Sequence, residues 1–325
     1  MLSPPLPPRG GGTIQRLDGP TMGTTWSVRL VDRGDPARLR AGIEARLDVV
    51  VAQMSTWRPD SDLSRFNCAP AGTWQTLPKD FMAVLLCALA TAEASDGAFD
   101  PTVGPVTNLW GFGPVPALNH GPPPANRLTE AHRRVGWQQL RIDAEAGQAL
   151  QSGGVSLDLS GIAKGYAVDQ LAEHLEGVGI ESFLVEIGGE LRGRGVKPDG
   201  TPWWVTVETP PSPTYDRAGI LVALYDLAIA TSGDYRRSFH HDGRRYSHTL
   251  DPRTGWPIEE STASVTVLHR CCMHADAMAT MLAVLGPSVG LDYAAEHGLA
   301  ALFITRDGTG ELREQMSPAF AAMLN

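Results

Sequence analysis

From residue 182 to residue 269 the chain is built of short strand-like segments divided by turn residues, with no helical pattern between them. S-F-L-V-E-I (182–187) is an apolar run of strand length ending at Gly188-Gly189. Further strands are expected near 203–208, 220–224, 227–230, 246–250 and 262–269. Parallel strands need long crossovers, usually helical. Strands that follow one another through turns make antiparallel or mixed sheets instead. The fold class is therefore α+β, with mixed or antiparallel sheets flanked by helices, and not a doubly wound parallel sheet.

Helical patterns lie on both sides of this block. After Pro36, Leu39, Ile43, Leu47, Val50 and Met54 fall on one stripe. A second helix is expected over 78–95, stopped by Asp96-Gly97, a third over 162–176 and a fourth over 274–285. T-T-W-S-V-R-L-V (24–31) alternates as a strand, and 155–159 reads as another. Ser61 or Asp62 is placed to cap a short turn, and 299–324 reads as strand, turn and helix. Residues 100–127, rich in Pro and Gly around Trp110 and Phe112, read as an irregular ordered loop. Residues 1–12 read as a disordered tail, leaving 13–325 as a single domain with room for two lobes around a cleft.

A net charge of −9 argues against non-specific binding to nucleic acid or anionic lipid. It also means that any anionic ligand needs local help from backbone N–H groups, placed cations or a metal. Four cysteines, with no C-x-x-C pair, suggest neither a zinc knuckle nor a redox motif. The longest uncharged apolar stretch, 81–92, falls short of the roughly 18 residues of a membrane span. No signal-peptide core is evident, so the sequence as it stands is expected to be cytoplasmic.

Two segments carry candidate chemistry. H-A-D-A-M-A-T (274–280) places Asp276 and Thr280 one helical turn apart on one face. Both offer hard oxygens suited to Mg²⁺, although an Asp near a helix start is more often a cap. L-D-L-S-G-I-A-K-G-Y-A-V-D (157–169) sets Lys164 in the first turn of a helix, where an anion is favoured. The plainer reading is a strand-to-helix connection with a solvated lysine. His248, before a D-P turn, could act as a general base or sit as an ordinary core histidine. Neither a Walker loop nor a Rossmann fingerprint is present, and G-G-E-L-R-G-R-G (188–195) reads as a tight turn between strands.

The blocks T-M-G-T (21–24), M-S-T-W (54–57), G-A-F-D-P-T-V-G-P (97–105), D-L-S-G-I-A-K-G-Y (158–166), V-E-I-G-G-E-L (185–191), A-T-S-G-D-Y-R (230–236), Y-S-H-T-L-D-P-R-T-G (246–255) and A-D-A-M-A-T (275–280) occur in this order. In them the sequence resembles the ApbE family of FAD:protein FMN transferases. The resemblance implies a T-fold-like architecture and Mg²⁺-dependent transfer of FMN from FAD to a Ser or Thr hydroxyl of a respiratory-type acceptor flavoprotein, releasing AMP. It places Met22, Trp57, Ala98, Phe99, Asp100, Asp158, Lys164 and Leu250 at positions that contact FAD. Asp276, Thr280 and the Gly161 carbonyl match metal ligands, and His248 is nominated as proton acceptor. Gly161 departs from the alanine usual in the family. Many members also carry a secretion signal and a lipid-anchored cysteine, which makes the periplasm the alternative compartment; the first cysteine here is Cys68. An FAD pyrophosphatase releasing FMN and AMP, or a non-catalytic FAD-binding protein, would use much of the same constellation.

Overall fold

The computed structural model describes residues 12–32, 34–115, 121–211, 219–235, 237–259 and 261–324. The expected tail at 1–12 falls, except for Gly12, outside them. In chain order the elements are β1 (Thr13–Thr21), β2 (Thr24–Asp32), α1 (Pro36–Met54), α2 (Asp62–Cys68), β3 (Thr73–Thr76), α3 (Lys79–Ala94), α4 (Gly104–Leu109) and α5 (Ala125–His132). There follow β4 (Arg141–Asp143), β5 (Gln148–Gln151), α6 (Ala163–Gly177), β6 (Phe183–Ile187), β7 (Glu190–Arg194), β8 (Trp203–Thr206), β9 (Leu221–Leu224) and β10 (Leu227–Gly233). The chain closes with β11 (Ser238–His241), β12 (Arg244–Ser247), β13 (Leu250–Asp251), β14 (Trp256–Pro257), β15 (Thr262–His269), α7 (Cys272–Glu296), β16 (Ala300–Arg306), β17 (Leu312–Met316) and α8 (Pro318–Ala322).

The frame is an eight-stranded sheet in the order β1-β2-β6-β7-β10-β15-β16-β17, every neighbouring pair antiparallel. The α+β class read from the sequence is the class observed. Period-two alternation gives the sheet two apolar faces. Phe183, Val185 and Ile187 of β6 enter the main core with Val265 and Val267 of β15, against α6 and α7. Leu184 and Leu268 point the other way, into a second cluster with Trp203 of β8, Leu224 of β9 and Phe320 of α8. The α1 stripe is buried as its spacing requires, and α1 packs on α6. A smaller cluster of Val106, Trp110, Leu128, Tyr246 and Leu250 gathers α4, α5, β12 and β13.

Several expectations change in detail. Residues 155–159 bury their apolar side chains alternately, as a strand would, but they join no sheet. Their backbone groups bond elsewhere: the Asn67 amide donates to the Leu157 carbonyl at 2.9 Å and accepts from the Leu157 N–H at 2.7 Å, and Asp158 N–H donates to the Pro101 carbonyl. The loop at 100–127 contains the short helix α4 and runs into the start of α5. The 246–250 strand breaks into β12 and β13, with His248 at the break. The C-terminal turn leads to a second strand, β17, before α8. β1 carries no core pattern beyond buried Leu17, because it is the sheet's edge. Helix α7 runs past 285, through a kink at Gly286 and Pro287. Its length and mean hydropathy of 1.2 over an 18-residue window would suit a membrane span. However, it packs on β10, β15 and α6, which makes it the central core helix.

Candidate active site

Every residue assigned to a site from the sequence lies on one cleft of about 930 Å³: Met22, Trp57, Ala98, Phe99, Asp100, Asp158, Gly161, Lys164, His248, Leu250, Asp276 and Thr280 all line it. Both the main core and the small cluster contribute walls, through Met54 and Phe99 on one hand and Leu250 on the other.

The floor is where α6 begins against α7. Asp276 is buried, and its Oδ2 accepts from the Gly165 N–H at 2.9 Å. Thr280 follows one turn later, and its Oγ1 lies 3.0 Å from the Ser232 Oγ of β10. Gly161 sits directly on Thr280: a Cβ there would stand 2.9 Å from Thr280 Oγ1. The glycine therefore lets this backbone approach more closely than alanine would without adjustment. A Cβ at Gly165 would meet the Cys272 carbonyl oxygen at 2.3 Å and the Asp276 Cβ at 2.8 Å, so the two helices touch through glycine. One carboxylate, one hydroxyl and one main-chain segment thus share the floor of one cleft.

Asp169 holds the two helices in this register. From the middle of α6 its carboxylate accepts from Cys272 N–H (3.1 Å) and Met273 N–H (2.9 Å), capping α7 from outside. It also takes the Arg192 guanidinium at 2.7 Å and the Cys271 thiol at 3.0 Å. Burial and the Asp169 charge push that thiol up to about 12, so it remains a donor.

Lys164 is not a solvated lysine. It forms an ion pair with Glu190, a buried carboxylate at the start of β7. The G-G turn brings this about. Gly188 (φ 61°) and Gly189 (φ 103°) close the β6–β7 hairpin, and a Cβ at Gly188 would stand 3.6 Å from the Lys164 Cδ. Burial raises the Asp276 carboxyl above the ordinary carboxylate value, while Lys164 and the Gly165 N–H pull it back. Two buried carboxylates near one lysine favour a further cation, and a carboxylate, a hydroxyl one helical turn away and a nearby main-chain segment offer the hard-oxygen donors that Mg²⁺ takes. These residues fit a divalent cation.

Met22 and Gly23 form the β1–β2 turn with φ of 47° and 72°, the left-handed pair of a two-residue hairpin. The methionine accepts an unusual conformation and reaches the cleft wall. Trp57 is 58% exposed, with the Arg237 guanidinium carbon 5.7 Å from its ring centroid. Asp100 and Asp158 line the cleft while bracing turns. Asp100 accepts from Thr102 N–H, Thr102 Oγ1–H and Trp137 N–H, and burial raises its carboxyl; Asp158 accepts from Ser160 N–H.

His248 is half-buried, its Nδ1 2.9 Å from the Arg237 carbonyl. A carbonyl can only accept, so Nδ1 carries the proton and Nε2 keeps its lone pair. Burial lowers the pKa of the ring, as do the Arg237 and Lys164 charges, against opposing contributions from the Arg237 carbonyl and Asp234. A neutral imidazole with a free Nε2 is the form a proton acceptor needs.

Sequence reasoning did not single out Glu190, Ser232, Asp169 or Arg237. Glu190 and Asp169 were discoverable in principle, since charged residues inside apolar segments are buried only with partners.

One cleft thus holds a buried carboxylate, a hydroxyl, a lysine and a histidine, an arrangement of the kind an enzyme uses. The ApbE family model matches residues 22–303. Among characterised proteins, the FAD:protein FMN transferase of Haemophilus influenzae is 40% identical over 309 residues (93% of this chain, 89% of that protein). That of Vibrio cholerae is 40% identical over 316 residues (95% and 92%). Of solved structures, apo Pseudomonas stutzeri flavinyl transferase ApbE superposes with a TM-score of 0.89 at 40% identity, covering 96% of this chain and 97% of its own. Vibrio cholerae flavin transferase ApbE also gives 0.89, at 38% identity, covering 96% and 99%. The chain belongs to the ApbE family, and it is an enzyme, a flavin transferase.

Proposed function

We propose that the chain transfers the FMN half of FAD to a Ser or Thr hydroxyl of an acceptor flavoprotein, of the respiratory type that the family resemblance implies, and releases AMP. The observation that carries this reading is the convergence of Asp276, Thr280 and Gly161 beside Lys164, in the same cleft as His248. Asp276, Thr280 and the Gly161 carbonyl would hold Mg²⁺. When bound, that ion supplies neutralising charge to the pyrophosphate as its anhydride bond breaks. Met22, Phe99 and Trp57 offer apolar surface to the rings of FAD, and Lys164, steadied by Glu190, offers a point charge to its phosphates. His248 Nε2 takes the proton of the attacking hydroxyl. A new O–P bond to FMN forms as the bond to the AMP oxygen breaks. Focusing cationic charge at one point explains how a protein of net charge −9 holds a dianionic pyrophosphate.

The experiment combines protein, FAD, Mg²⁺ and an acceptor domain, then reads covalent flavin on the acceptor by in-gel fluorescence and AMP by chromatography. Wild type is expected to label the acceptor with one AMP per flavin, and Asp276→Ala to lose at least about 100-fold in rate. Release of AMP and free FMN without labelled acceptor would replace transfer by hydrolysis. Full-rate transfer by Asp276→Ala would remove the metal assignment.

A further inference from the structure

Arg237 brings a positive charge to the cleft that the chemistry above leaves unused. Neighbouring arginines are committed: Arg58 to Asp60, Arg253 to Asp251, and both Arg245 and Arg306 to Asp234. Among the described residues no carboxylate reaches Arg237. Its side-chain contact is the face of Trp57, within the roughly 6 Å over which a cation is attracted to a ring. In a chain of net charge −9, an arginine with no carboxylate partner on the wall of a ligand cleft is placed for an anion.

Its main chain and side chain act on different atoms. The carbonyl of Arg237 receives Nδ1–H of His248 and so fixes the tautomer that leaves Nε2 as base. The guanidinium stays close enough for its charge to act on the imidazole, as that of Lys164 does from α6. Arg237 thus neighbours the proton acceptor through its carbonyl and the aromatic surface offered to FAD through its guanidinium.

We propose that Arg237 is a catalytic residue of FMN transfer, its planar guanidinium holding the non-bridging oxygens of the FMN phosphoryl group while His248 takes the acceptor's proton. The assignment rests on the FMN-transfer reading. As the acceptor O–P bond forms and the P–O bond to AMP breaks, charge spreads over those oxygens, and a guanidinium fork matches them with parallel N–H donors. Because the bond to His248 uses the main chain, replacing the Arg237 side chain leaves the base in place.

The test compares wild type, Arg237→Gln and Arg237→Lys, measuring kcat and KM for FAD and for acceptor, acceptor-independent AMP release, and FAD affinity by flavin fluorescence. Arg237→Gln is expected to lower kcat for transfer roughly 100-fold. AMP release should fall in parallel, with KM for acceptor unchanged and FAD affinity within about 5-fold. Arg237→Lys should recover part of the rate. Wild-type kcat in Arg237→Gln overturns the assignment, and so does a loss confined to KM for acceptor, which would make Arg237 a docking residue. Should wild type release AMP and FMN without labelling acceptor, transfer itself fails, yet a drop in that release in Arg237→Gln still supports Arg237 at the phosphoryl group.

Discussion

Replacing Gly165 by alanine probes the contact that builds the site. The added Cβ would stand 2.3 Å from the Cys272 carbonyl oxygen, 2.7 Å from its carbon and 2.8 Å from the Asp276 Cβ. Ordinary carbon contacts begin near 3.5 Å, so α6 and α7 must part by about 1 Å. Overpacking of this kind costs about 1–3 kcal/mol, which in a chain of this size lowers Tm by roughly 1–5 °C. The shift also carries Asp276 away from Gly161. A 1 Å displacement of a catalytic group can cost about 100-fold in rate. Gly177→Ala is the control, being in the same helix with no atom within 4 Å of an added Cβ; it should be neutral or slightly stabilising. Differential scanning calorimetry and the fluorescent transfer assay read both effects. Gly165→Ala with unchanged Tm and rate would refute the close approach of the two helices.

Asp169→Ala removes the external cap of α7 and the buried partner of Arg192, and should destabilise by about 2–4 kcal/mol in chemical denaturation, with activity lost before the global transition. The lowered pKa of His248 sets the sign of the pH dependence. The ring stays neutral until pH falls through its folded value, so the acid limb of kcat/KM should lie below the ordinary 6.5, and a limb above it would contradict the assignment. Linkage runs the same way: this group's share of stability is complete above its unfolded pKa and lost as pH falls through the folded one. Trp57→Ala should leave stability within about 0.5 kcal/mol, because the ring is exposed. It should also weaken FAD binding roughly 10-fold in fluorescence titration.

What the sequence made legible were features whose pattern is local. The α1 stripe, the apolar β6 and the Asp276–Thr280 spacing need only the helical or strand repeat, and each is where the pattern puts it. The 155–159 segment shows the limit: its alternation is genuine, but the Asn67 amide replaces a neighbouring strand, and no local signal says which partner a backbone finds. β1 escaped notice because its covered positions are Gln15, Leu17, Gly19 and Thr21, so the alternation in its burial leaves no trace in hydropathy. In the site, the residue types with their own chemistry could be named in advance. The ones that became visible only in three dimensions, Glu190 under Lys164 and Asp169 across the helix ends, act through partners 26 and 103 positions away. The departure at Gly161 also gains a meaning, since its missing Cβ is what admits Thr280.

The central claim is most directly tested by anomalous diffraction from crystals of the protein soaked with Mn²⁺ as a stand-in for Mg²⁺, together with FAD. The account predicts one strong peak in the cleft, within about 2.2 Å of an Asp276 oxygen, the Thr280 hydroxyl and the Gly161 carbonyl. Strong density for the ion elsewhere, with these three oxygens left uncoordinated, would contradict it.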